Sequence, residues 1–445
     1  MNLRNSRGIS AIVFCALFSA ICGLDAQAPT ASSIQSAAVQ DEELKFVVIV
    51  SRHGVRSPTG IKDQLNQYSS EPWPAWSVPP GYLTEHGARL MTLFGAYDRE
   101  LLADEGLLAA SGCADAAKIR IIADSDQRTR ETGKALATGL VPGCSIELKV
   151  LPEGTPDPLF HSLSAGVGHP DKLLATAAIS GRICGNPQGL IDAYRPQLIA
   201  LEEVLRGCNP QANCKGQPAL RSLFDLSSTI APGRGDHLVD LRTPLSLASS
   251  MTENLLLEYT EGMDAAHVGW GRVDLAKLRE LLQLHEASEE IERRTPYIAR
   301  IQSSNLLAHI LNSIRQAVVA KPVAGALTKP GDHLLILVGH DTNLSNIAGA
   351  LGLDWIEDGR RDDTPPGGAL VFELWKATYT GTYSVRTFYT AQTLDQMRNA
   401  TPLSVTNPPE RVPVFVPGCS RADLSCPWKA FQQVVHAATD PMLVK

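Results

Sequence analysis

Three times in this chain a short apolar run stops at histidine or arginine and a helical pattern follows. Phe46-Val47-Val48-Ile49-Val50 leads into Arg52-His53-Gly54-Val55-Arg56-Ser57-Pro58. Ile119 to Ala123 leads into Asp124-Ser125-Asp126-Gln127-Arg128, and Leu334 to Val338 leads into Gly339-His340-Asp341-Thr342-Asn343. Apolar runs without polar alternation mark strands buried on both faces, as in the middle of a largely parallel sheet. Ligands of such sheets gather outside the carboxyl ends of the strands. The pattern predicts an α/β fold with histidine and arginine side chains presented at three strand ends.

After the first run, a loop rich in proline (Pro72, Pro74, Pro79, Pro80) reaches Thr84. Thr84 is the expected N-cap of a helix carrying Leu90, Leu93, Phe94, Tyr97 and Leu101 at helical spacing. Between Leu159 and Arg294 the strand–helix alternation gives way to helical patterns near 173–179, 191–205, 245–259 and 275–292. This predicts a mostly α-helical domain, residues 159–294, inserted into a discontinuous α/β domain of residues 42–158 and 295–445. The second part opens with a helix after Thr295-Pro296 and contributes two further strands, Ala369 to Trp375 and Tyr383 to Tyr389.

Arg4 and Arg7 precede an apolar stretch from Ile9 to Leu24, and Ala26-Gln27-Ala28 follows in a small-x-small pattern. Residues 1–28 therefore read as a secretory signal peptide and the small polar residues 29–41 as a flexible leader. No other apolar stretch approaches membrane-spanning length. The net charge of −7 argues against nucleic acid, because a small anionic ligand needs only a local arginine pocket. Export makes the cysteines candidate disulfides: Cys113 with Cys144, Cys208 with Cys214, and Cys419 with Cys426, although spacing alone does not prove connectivity. Cys184 is left over and reads as a buried, small apolar residue. Zinc-type spacing does not accompany these cysteines.

Two guanidiniums flanking an imidazole are costly to hold together unless an anion sits between them, and their forks match phosphate oxygens. Phosphoryl transfer needs a nucleophile, fixed positive charge and a proton for the leaving group. His53 is the candidate nucleophile, and Arg52, Arg56, Arg128 and His340 form the candidate anion clamp. Asp341 is the candidate proton donor and, later, the base acting on water. The bland alternatives are an N-cap role for Asp341 and a salt bridge from Arg128 to Asp124 or Asp126. No metal or cofactor is expected, since arginines supply the charge.

Arg52-His53-Gly54-x-Arg56-x-Pro58 paired with a distant Gly339-His340-Asp341 resembles the histidine acid phosphatases. The resemblance continues through Ile121 to Gly133, Asp157 to Phe160, Ser246 to Glu253, Gly269-Trp270-Gly271, Arg294-Thr295-Pro296 and Thr364 to Gly368, which look like the bacterial periplasmic phytase and acid phosphatase branch. It implies a phosphoglycerate-mutase-like α/β sandwich with an inserted helical cap. It also implies a metal-independent phosphomonoesterase working through a phosphohistidine, with Thr59, Asp124 and Glu253 as further substrate contacts. The expected ligand is a small phosphomonoester, myo-inositol hexakisphosphate (phytate) or a sugar phosphate, handled by a periplasmic or secreted monomer that binds neither nucleic acid nor membrane. A glucose-1-phosphatase or broad acid phosphatase is the alternative, and a phosphate-ligand binding protein without turnover is a third reading. The chain departs from the phytase pattern at Gly60, where that type has lysine, at Ser250, where it has methionine, and at Gly168, where it has a cysteine.

Overall fold

The computed structural model describes residues 42–60, 62–208 and 220–445, so the segments expected to be a signal peptide (1–28) and a leader (29–41), and Cys214, lie outside the described residues. The strands are β1 (Glu42–Arg52), β2 (Ile119–Ala123), β3 (Leu148–Lys149), β4 (Thr229–Pro232), β5 (Val239–Arg242), β6 (Leu334–Gly339), β7 (Ile356–Glu357), β8 (Arg360–Arg361), β9 (Ala369–Ala377), β10 (Tyr383–Ala391), β11 (Glu410–Pro413) and β12 (Cys426–Pro427). The helices are α1 (Lys62–Leu65), α2 (Glu85–Asp104), α3 (Gln127–Leu140), α4 (Lys172–Arg182), α5 (Pro187–Ala193), α6 (Arg195–Arg206), α7 (Pro244–Thr260), α8 (Leu275–Glu292), α9 (Pro296–Val319), α10 (Asp341–Leu351), α11 (Leu394–Arg398) and α12 (Trp428–Ala438).

The main sheet runs β11-β10-β9-β1-β6-β2-β3, with β12 beside β10. Neighbours among β1, β6, β2 and β3 are parallel, whereas β9 and β10 add antiparallel to the other side of β1. The three apolar runs are thus adjacent central strands. Side chains alternate between two helical layers, as a pleated strand requires. Phe46, Val48 and Val50 pack with Leu307, Ile310 and Ile314 of α9, Leu344 and Ile347 of α10 and Phe431 of α12. Val47 and Ile49 pack on the opposite face with Met91 and Phe94 of α2 and Leu136 and Leu140 of α3. Leu44 shares this second face although it lies two residues from Phe46, because the register slips between them.

Thr84 caps α2 as expected: its hydroxyl accepts the Gly87 N–H at 2.9 Å. Helices α6, α7 and α8 form a third apolar cluster through Leu201, Leu255, Leu256, Leu278 and Leu282, and Val55 after β1 and Leu90 of α2 join it. The segment after β1 is therefore held against this cluster. Neither the β4–β5 hairpin among the helices nor the C-terminal α12 was expected from the sequence pattern. Two disulfides, Cys113–Cys144 and Cys419–Cys426, match the expected pairs. Cys208 is also disulfide-bonded. Cys184 departs from its reading as a buried residue: it is exposed, just after α4, in a left-handed conformation at φ 53°.

Candidate active site

Parallel register brings the three strand ends level. Arg52 pairs with Gly339, and Ala123 pairs with Val338. His53 donates its backbone N–H to the Gly339 carbonyl at 3.0 Å, and Asp124 donates to that of Val338 at 3.0 Å. Gly367 and Gly368 brace the other edge, with Gly367 N–H on the His53 carbonyl and Arg52 N–H on the Gly368 carbonyl. The candidate nucleophile, the four candidate clamp residues and the candidate proton donor all meet here.

The His53 ring is buried, and its Nδ1 lies 2.8 Å from the carbonyl of Gly54. A carbonyl only accepts, so Nδ1 carries the proton and Nε2 keeps its lone pair. Burial, and then the Arg128, Arg56 and Arg52 guanidiniums, hold the imidazole well below its usual pKa. The His53 ring therefore stays unprotonated in acid.

Arg52 is fully buried. It donates to the Thr364 carbonyl at 2.6 Å, pairs with Glu253, and lies 3.0 Å from Asp341 Oδ2. Glu253 also faces Arg56 at 3.5 Å. Burial lowers the Arg56 pKa to about 10, which still leaves it cationic. Glu253 reads from sequence as a solvated helical residue, yet it is buried and bridges two arginines. Of the bland alternatives, the salt bridge from Arg128 is present and the N-cap role of Asp341 is not. Arg128 pairs with Asp126 at 2.5 Å rather than with Asp124. The N-cap of α10 is His340, whose N–H is taken by the Asn343 side chain at 2.9 Å, and Asp341 is the first helical residue.

Asp124 is fully buried beneath the pocket and accepts His340 Nε2 at 2.7 Å and His161 Nε2 at 3.0 Å. Burial alone would favour its neutral form, but these hydrogen bonds hold the carboxyl well below its usual range. His161 also reaches Asp236 at 3.2 Å; against the pull of burial, hydrogen bonds to the two carboxylates push it up to about 10. His340 moves the other way, lowered by burial and by Arg128. The sequence reading placed a cation at His340; the two carboxylate partners of the less buried His161 favour the charge there instead. No local pattern marks His161, Asp236 or His285, because they enter from loops and a helix face.

Asp124, Asp126, His161 and His340 hold potential ligand atoms within 4.8 Å of one another. Both imidazoles already donate to one Asp124 oxygen, and Arg128 Nη2 lies on Asp126 and 3.4 Å from His340. A guanidinium thus stands beside the donor set and disfavours a metal ion there. Thr59 lines the cleft with Arg56, Asp341 and Thr342. Gly60 and Ser250 also line it, whereas Met251 is buried behind.

A free imidazole nitrogen among arginines at the carboxyl ends of parallel strands defines a histidine-centred phosphoryl-transfer enzyme of the α/β class. The chain belongs to the histidine phosphatase superfamily (branch 2), whose family model matches residues 43–390. It is 38% identical over 425 residues to the phytase AppA of Escherichia coli K12, covering 92% of this chain and 95% of that protein. It is 30% identical to the glucose-1-phosphatase of Providencia rettgeri, covering 93% and 95%. Among solved structures, the Citrobacter braakii phytase is similar with a TM-score of 0.81 and 34% identity, covering 91% of this chain and 99% of the other. A Hafnia alvei phytase in complex with myo-inositol hexakis sulphate matches with a TM-score of 0.79, 33% identity and the same coverages.

Proposed function

We propose that the protein is an acid phosphomonoesterase of phytase type, releasing phosphate from myo-inositol hexakisphosphate and other phosphomonoesters. The observation that carries this reading is the His53 ring, whose Nδ1 proton is held by Gly54 so that Nε2 faces a pocket of three arginines. Nε2 attacks phosphorus, the P–O ester bond breaks, and Asp341 gives its proton to the departing oxygen. Water then attacks the phosphohistidine, Asp341 takes a proton from it, and the P–N bond breaks. Arg52, Arg56 and Arg128 stabilise the charge on the phosphoryl oxygens throughout.

Asp341 is held ionised: burial opposes its charge, but Arg52, and after it His285 and Arg56, hold it well below its usual range. An arriving phosphate engages those arginines and adds negative charge beside the carboxyl, and both changes raise its pKa. Acid conditions complete the protonation. Residues 159–294 act as the cap over this site. The signal-like residues 1–28 and the disulfides support export, with the periplasm as destination.

A glucose-1-phosphatase is the second reading, favoured by Gly60, which replaces a lysine with a residue that cannot bind phosphate through a side chain. Comparing kcat/KM for phytate and glucose 1-phosphate separates the two; a strong preference for the sugar phosphate overturns the phytase reading. Rapid-quench labelling tests the chemistry. The wild type should trap an acid-labile phosphoenzyme, and His53→Ala should trap none and lose on the order of 10⁴-fold or more in kcat.

A further inference from the structure

The active-site cleft is larger than one phosphate requires. It divides into two lobes of about 540 and 450 Å³, both lined by Arg56, Thr59, His237, Arg293, Asp341 and Thr342. Arg293 is the one arginine of this boundary that does not belong to the strand-end clamp: it follows α8 as its C-cap. Its side chain is only 14% exposed, and its sole ion pair among the described residues, to Glu289, is 3.6 Å long. That pair is made by the buried Nε, which stands beyond normal hydrogen-bond distance of the carboxylate.

A cation at a helix C-terminus four residues after a glutamate has an ordinary explanation in the helix dipole and the i,i+4 pair. That explanation does not account for the burial. A guanidinium presents five N–H donors in a rigid fork; here the buried Nε lacks a hydrogen bond, and a group that lines both lobes can turn its remaining donors to an anion in the cleft. Glu289, Glu292 and Asp341 keep the group cationic despite burial. Arg52, Arg56 and Arg128 surround His53 and are committed to the phosphate that reacts.

We propose that Arg293 holds a second, non-reacting phosphate of the substrate while the first lies on His53. It is then a specificity residue that favours polyphosphorylated alcohols over monophosphates. The proposal rests on the phosphomonoesterase reading above and adds a residue that recognises the rest of the substrate.

The test is steady-state kinetics of the mature protein with Arg293→Gln and Arg293→Lys, after a thermal melt confirms folding. With myo-inositol hexakisphosphate, the glutamine variant should raise KM about tenfold while kcat stays within about twofold. With p-nitrophenyl phosphate, which carries one phosphate, neither constant should move. An equal rise for both substrates would assign Arg293 to the reacting-phosphate clamp, and no change for either would leave it a helix cap; each result overturns the proposal. If the wild type does not hydrolyse the hexakisphosphate, the phytase reading fails separately. Inhibition of p-nitrophenyl phosphate hydrolysis by myo-inositol hexakissulphate then decides, with the glutamine variant expected to need about tenfold more inhibitor and equal inhibition overturning the proposal. Should the glutamine variant not fold, the lysine variant replaces the fork by a point charge. It should raise KM for the hexakisphosphate alone, and an unchanged KM overturns the proposal.

Discussion

Single residues here have opposed electrostatic tasks. In the proposed mechanism His53 must stay neutral and Asp341 must gain a proton, within reach of the same arginines. Because Arg128 lowers the His53 pKa, Arg128→Gln should raise it, and the acid limb of the kcat/KM profile should move to higher pH. The same change should cost about 10² in kcat/KM; an unmoved acid limb would mean that burial alone keeps the imidazole neutral. Asp341→Asn should reveal the proton donor through the leaving group. Turnover of an alkyl phosphate should fall about 10³-fold, and an aryl phosphate, whose phenolate leaves without a proton, should lose far less. Equal losses would leave Asp341 without a role in protonation. The sequence made the strand-end residues legible because an abrupt change from apolar to charged is a local signal. Glu253 and His161 carry no such signal. Each looks ordinary in its own segment and acquires its environment only when distant segments close over it.

At the scale of elements, glycines decide how closely the site's supports pack. A Cβ on Gly87 in the first turn of α2 would lie 2.2 Å from the Val55 carbonyl, inside the segment that carries His53 and Arg56. A Cβ on Gly139 in α3 would lie 2.0 Å from the Thr92 carbonyl of α2, far from that segment in sequence. Both alanine variants should destabilise the fold by about 1–3 kcal/mol in denaturant melts. Gly87→Ala alone should also reduce kcat at a temperature where the protein is fully folded. If both variants keep full kcat, the loop does not depend on the seating of α2. The long amphipathic helices and continuous apolar strands were readable because their periods are strong. The β4–β5 hairpin was not, since four-residue strands offer too few positions to establish alternation, and its pairing of Ile230 with Leu241 is a tertiary fact.

The whole molecule buries carboxyls that favour opposite ends of the pH scale. Burial pushes Asp98 and Glu258 up to about 8, while hydrogen bonds from His161 and Ser164 outweigh burial and hold Asp236 at about 2. A carboxyl with a raised folded pKa stabilises the fold below its unfolded value, and that contribution disappears as pH rises through the folded value. For Glu258 the window runs from about 4.5 to about 8. His161, raised to about 10, loses its contribution over a range that extends further into alkali. The Tm should therefore fall from pH 5 to pH 8. Glu258→Gln, which cannot ionise, should make that fall smaller; an identical fall in the variant would show that Glu258 does not contribute to it.

The strand order also has a biosynthetic consequence. β6 lies between β1 and β2, yet the ribosome makes it long after both. Until residues 334–341 exist, the nucleophile's strand has no parallel neighbour, Asp124 lacks its partner His340, and there is no proton donor. An incomplete chain therefore has neither a finished sheet core nor a working site. On the export route proposed above, such a chain can be threaded through a translocation pore before it folds, and the site is assembled only after residues 334–341 join the sheet.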